Sequence, residues 1–112
     1  MPAAKLNMTI EQGTTWSKGL ELNRPDGSAL DLTDHSFRGQ MRATFGSADP
    51  AATFTCGIVE AASGTVSIAL DENTTTGIPA GSYVYDIEMV KPDGTVIRLM
   101  EGKIQVTPEV TR

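Results

Sequence analysis

Residues 81–110 carry the pattern that most limits what this chain can fold into: GSYVYDIEMVKPDGTVIRLMEGKIQVTPEV. Tyr83, Tyr85, Ile87 and Met89 alternate with Val84, Asp86 and Glu88, the two-residue period of a strand with one buried face. Lys91-Pro92-Asp93-Gly94 then turns the chain. Pro92 presets φ at the first central position, Asp93 tolerates the second, and Gly94 takes the left-handed conformation that begins the return strand. Residues 95–100 are again rich in β-branched and apolar side chains. This is a β-hairpin. Its polar residues are solvent-face spacers and its turn residues serve the backbone, so it looks like a building part rather than a catalyst.

The same turn stands earlier, in Arg24-Pro25-Asp26-Gly27-Ser28-Ala29-Leu30-Asp31-Leu32. It shares with the later one a basic residue, Pro-Asp-Gly, a hydroxyl residue and two apolar residues two apart. An internal duplication would explain this, and so would reuse of good turn chemistry. Reuse is favoured, because repeat architectures need at least three units to support themselves.

At 112 residues the chain suits one domain with one core. Hydrophobic residues at 39% and charged residues at 21% place it among folding sequences rather than disordered tails. The nine Lys and Arg are scattered and the net charge is −5, which argues against nucleic acid as a partner, since phosphate binding needs a clustered positive face. No apolar run reaches the length of a signal peptide or a membrane span, so synthesis and folding in a cytoplasm are expected, with no membrane partner. Cys56 is the single cysteine, excluding an intramolecular disulfide. Its alternation with Ala52 and Phe54 predicts a buried, inert thiol.

Along the chain, alternation predicts a strand over residues 6–13 and a second over 14–23, with Trp16, Leu20 and Leu22 on one face. Lys18 shares that parity and breaks the apolar row. Either Gly19 marks a bulge or the Trp16 end lies on an open rim. A short strand through Leu30 and Leu32 follows, then one with Phe37, Gly39, Met41 and Ala43 facing inward. Residues 45–51 read as a loop. Residues 52–56 form a strand, with residues 58–60 continuing it, and Val66, Ile68 and Leu70 mark another. Asp71 caps one helical turn over residues 71–78, stopped by Gly77 and Pro79. Near Gly102 the final alternation slips, predicting a bulge or break. Eight or nine short strands at this spacing indicate an all-β, immunoglobulin-like antiparallel sandwich. It is one domain, with a short N-terminal arm (residues 1–5) and a C-terminal tail (107–112). Small residues and prolines at both ends suit contact with a partner and supply no core, so both are expected to be dispensable for folding.

Candidate chemistry is sparse. His35, flanked by Asp34 and Ser36, reads as a solvated turn histidine, because neighbours in a strand point to opposite faces and cannot form a triad. Asp31, Asp34, Asp71 and Glu72 lack EF-hand spacing and read as surface charges. There is no phosphate loop, zinc spacing or nucleophile elbow, and a glycosidase-type carboxylate pair needs a cleft for which the chain is short. The reading is non-enzymatic, without cofactor or metal. Tyr83 and Tyr85 read as core residues with hydroxyls at the rim. Trp16 reads equally as core plug or interface anchor.

The stretches Thr9-Ile10-Glu11-Gln12-Gly13, Asp31-Leu32-Thr33, Pro79-Ala80-Gly81-Ser82-Tyr83-Val84-Tyr85-Asp86 and Glu101-Gly102-Lys103-Ile104-Gln105-Val106, with Val110-Thr111 closing, carry a resemblance over nearly the whole chain. In their order they resemble small structural proteins of tailed bacteriophages and prophages. More distantly, the chain is similar to the N-terminal β-sandwich domain of phage baseplate upper proteins. The resemblance implies a virion component in the tail, baseplate, neck or fibre attachment, partnered by other virion proteins and copies of itself, with no catalytic residues. Met1, Pro2, Ala3, Ala4, Lys5, Trp16, Lys18, Pro108, Val110 and Arg112 are the candidate contact residues, together with any strand edge left open. The alternatives are a capsid decoration protein and a carbohydrate-binding module of a host-recognition device, with sugar binding the less favoured.

Overall fold

The computed structural model describes residues 3–111; Met1, Pro2 and Arg112, three of the candidate contact residues, lie outside them. The elements are β1 (Ala4–Lys5), β2 (Met8–Glu11), β3 (Trp16–Glu21), β4 (Ser36–Arg42), β5 (Ala52–Thr53), β6 (Thr55–Glu60), β7 (Thr65–Leu70), α1 (Glu72–Thr76), β8 (Gly81–Val90) and β9 (Val96–Thr107). They form an all-β sandwich. The large sheet runs β1-β9-β8-β4-β5, with β2 also on β9, and the small sheet runs β3-β7-β6.

The β8–β9 hairpin is the spine of the large sheet. Tyr83, Tyr85, Ile87 and Met89 are all buried, as their alternation requires. The first three meet Ile10, Ile68, Ile104 and Val106, and each fully buried aliphatic side chain contributes about 2 kcal/mol of transfer free energy. A second cluster of Leu32, Val66 and Met89 fills one end. The chain passes from the large sheet to the small one at Phe54, whose N–H donates to the Gly39 carbonyl at 2.9 Å.

Both Pro-Asp-Gly turns are built alike. Gly94 N–H donates to the Lys91 carbonyl, and Gly27 N–H to that of Arg24, each at 2.9 Å. Gly94 and Gly27 hold φ of 90° and 91°, a conformation that favours glycine. The shared hydroxyl position is explained as well. The Ser28 hydroxyl donates to the Asp26 carboxylate at 2.6 Å, and the backbone N–H of Ser28 and of Thr95 donates to the carboxylates of Asp26 and Asp93 at 2.9 and 2.8 Å. These contacts hold both carboxyls below their ordinary pKa. Asp71 caps α1 by accepting from Thr74 N–H at 2.8 Å, and Gly77 closes its C-terminus.

Antiparallel pairing dominates, as expected, with β1 and β2 lying parallel to β9, and four expectations need correction. The arm is therefore part of the large sheet, with Ala4 opposite Met100 and Lys5 opposite Glu101. No strand forms through Leu30 and Leu32; Asn23 and Ala29 make an isolated bridge, while Leu32 is buried on its own. The slip in β9 falls at Leu99, opposite the Ile87/Glu88 step, rather than at Gly102. Gly102 serves another purpose: a side chain there would run into the Leu6 carbonyl, which accepts the Tyr85 hydroxyl at 2.6 Å. Finally, Cys56 is half-buried rather than buried, because β6 is a margin of its sheet. Partial burial still pushes its thiol pKa up.

Candidate docking surfaces

Both margins of the small sheet are six-residue strands, but they are built differently. The β3 register on β7 is unbroken: Trp16 faces Leu70, Lys18 faces Ile68 and Leu20 faces Val66. Gly19 thus marks no bulge, and Lys18 stands exposed on the inward row of an open rim. An inward-pointing charge on a margin strand is a known guard against pairing with another chain. On β6 the same inward row is Phe54, Cys56 and Ile58, with Cys56 opposite Ile68 and Ile58 opposite Val66. It carries no charge before Glu60. Ile58 and Val59 are 37% and 70% exposed, and a register shift after Ile58 leaves Val59 as the extra residue of a bulge.

Trp16 is half-buried, its ring 5.7 Å from that of Phe54, which in turn meets Tyr85 edge-on at 6.3 Å. Tyr83 and Tyr85 lie in the core with their hydroxyls donating to the Pro79 and Leu6 carbonyls. Burial pushes the Tyr85 phenol up to about 12. Neither tyrosine is displayed for stacking.

The C-terminal tail is tied down at Glu109, whose N–H donates to Gln12 Oε1 at 3.0 Å while Gln12 Nε2 donates to the Ile78 carbonyl at the same distance. The Glu109 carboxylate fills the space where a side chain at Gly13 would start. Deleting residues 108–112 would therefore undo a clamp, and deleting residues 1–4 would remove a rung of the large sheet. Ala3 is half-buried, Ala4, Lys5 and Pro108 are exposed, and Val110 is 92% exposed.

The most conspicuous displayed side chain is one that strand patterning does not select. Phe45 is 86% exposed on a tight turn closed by Ser47 N–H donating to the Thr44 carbonyl. Arg42 Nη1 donates to the Ser47 and Ala48 carbonyls at 3.0 and 3.1 Å, so the loop is pinned. Beneath it, on the outer face of the large sheet, lies a shallow trough of about 360 Å³ reaching Lys5, Asn7, Val84, Glu101 and Lys103. Arg38 and Glu88 pair across that face at 2.7 Å. Burial, then the neighbouring Glu88, raises the Asp86 carboxyl above its ordinary pKa. An aromatic residue inside a loop otherwise made of small and turn-forming residues was the available sequence signal.

His35 Nδ1 lies 3.0 Å from the Thr33 carbonyl. Asp31 accepts from the N–H and hydroxyl of Thr33. Among the described residues no three His, Cys, Asp or Glu side chains are grouped to hold a metal ion, and no helix is long and apolar enough to cross a membrane. No protein-family model matches this chain, and no curated protein matches it.

Proposed function

We propose that this protein is a non-enzymatic structural component of a tailed-phage virion that docks in several symmetric copies in the tail, baseplate, neck or fibre-attachment region. The reading begins from the resemblance in the four sequence stretches above. The observation that carries it furthest is the distribution of displayed apolar groups. They sit at the end of β6 (Ile58, Val59), on a pinned loop (Phe45), between β1 and β2 (Leu6), at the start of β9 (Val96) and on a tail (Val110), which are contact features rather than the walls of an enclosed pocket. A rigid domain of this kind gains avidity from modest interfaces repeated by symmetry. Mass spectrometry of purified virions tests the role: the protein should be present in fixed stoichiometry, and its absence from particles would refute the proposal.

Phe45 gives a second reading some support. A fixed aromatic beside Asn7, Glu101 and Lys103 is chemistry that stacks on and hydrogen-bonds a sugar ring, as a carbohydrate-binding module would. A glycan array separates the two: saturable binding lost in Phe45→Ala would favour the module.

A further inference from the structure

We infer that the trough beneath Phe45 binds an acidic sugar, a pyranose bearing a carboxylate, with its charge on Lys5 and Lys103 and its ring against Phe45. This deepens the carbohydrate reading and rests on it. The two fail separately, since that reading requires a sugar of some kind and the inference requires the charge.

Three features of the outer face of the large sheet converge on this ligand. The first is positive charge without a partner. Among the described residues the ion pairs on that face join Arg38 to Glu88, and Arg98 to Asp86 and Glu101. Lys5 and Lys103 enter none of them, although the whole chain carries −5. β1 and β2 keep one register along β9, with Lys5 beside Glu101 and Met8 beside Ile104. The two lysines therefore stand two positions apart on neighbouring strands, roughly 8 Å between Cα atoms, a gap that two long side chains close onto one carboxylate.

The second feature is a fixed amide. Asn7 Oδ1 accepts the Lys103 N–H at 3.0 Å, which sets the side chain and leaves its Nδ2 hydrogens as donors for a ligand. Glu101 lines the same hollow as an acceptor, so sugar hydroxyls find both kinds of partner. The third is an aromatic wall. Phe45 is 86% exposed, yet Arg42 ties its loop down, so binding costs little further ordering. Half-buried Val84 lies beneath it, and the C–H face of a pyranose is the apolar complement of such a ring. A hollow of about 360 Å³ stands at the small end of ligand sites and suits a single ring.

The combination selects the class. A bare anion would use the lysines and leave Phe45 idle, whereas a neutral sugar would use Phe45 and leave the lysines idle. An acidic sugar engages both.

An array of uronate- and sialate-bearing glycans beside their methyl esters reads the charge, because esterification removes it and keeps the ring. At least one acidic glycan should bind saturably, and its ester roughly tenfold more weakly. Titration of that glycan, followed by amide chemical shifts, should show Lys5→Gln and Lys103→Gln each weakening binding roughly fivefold and Phe45→Ala abolishing it. Lys18→Gln, on the small sheet, should change nothing. All four side chains are exposed, so the fold should survive each substitution, and binding should weaken as salt is raised. An ester bound as tightly as its acid, or binding indifferent to both lysine variants, would overturn the inference. Neutral glycans bound in preference to acidic ones and lost in Phe45→Ala would overturn it while leaving the carbohydrate reading standing. Binding of no glycan would overturn both.

Discussion

In the large sheet the two longest strands, β8 and β9, have neighbours on both sides, whereas in the small sheet only the central strand does. The same turn occurs in both settings. Around Gly94 it joins ten-residue β8 to twelve-residue β9, whose inward side chains supply seven of the sixteen hydrophobic residues buried among those described. Around Gly27 it closes a loop held by one bridge, Asn23 to Ala29. Turn chemistry thus determines the local geometry, which is alike in both places, but it does not determine how far strands zip away from the turn. That depends on apolar alternation and on a waiting neighbour. Stability therefore concentrates in the large sheet.

The largest effect that would break this contrast lies at the two glycines. Gly94→Val should destabilise the domain by about 2 kcal/mol, the cost of a branched residue in the left-handed region, because β8 and β9 cannot release the strain without losing core. Gly27→Val should cost less than about 1 kcal/mol, since the loop can open locally while the domain stays folded. Denaturant melts measure both, and equal losses would mean that the Gly27 turn is as tightly coupled to the core as the hairpin.

A smaller effect concerns acid. Asp26 and Asp93 titrate below their ordinary value because Ser28 and Thr95 donate to the ionised form. A depressed folded-state pKa adds stability that is present above the unfolded pKa and is lost as pH falls through the folded one. Below about pH 4 melting temperature should therefore decline. Asp93→Ala should flatten part of that decline, while Asp26→Ala should leave the global transition nearly unchanged. Thermal melts between neutral and strongly acidic pH would show the difference.

These contrasts also mark what could be read from the amino acids. The β8–β9 hairpin, the β7 row of Val66, Ile68 and Leu70 and the Asp71-capped helical turn were legible because each is written in local period and capping. The parallel seating of β1 and β2 on β9 was not, since it joins residues about a hundred positions apart through Asn7 Oδ1 accepting from Lys103 N–H. Cys56 illustrates a third limit. Alternation tells which face a side chain shares, but burial on that face depends on whether the strand is central or marginal. Lys18 was the informative irregularity: a charge in an apolar row left either a bulge at Gly19 or an open rim, and the unbroken register on β7 selects the rim. The adjacent Leu99 and Met100 were the corresponding clue to the bulge in β9, because two neighbouring apolar residues cannot both face inward in a regular strand.

The two sheets differ in how firmly they hold their strands, the β8–β9 hairpin being flanked on both sides and the β3 margin on one. Amide hydrogen exchange at residue resolution tests this contrast most directly. The account predicts that amides within Gly81–Val90 exchange slowest and those of Trp16–Glu21 far faster. Equal protection in both, or faster exchange in β8 than in β3, would contradict it.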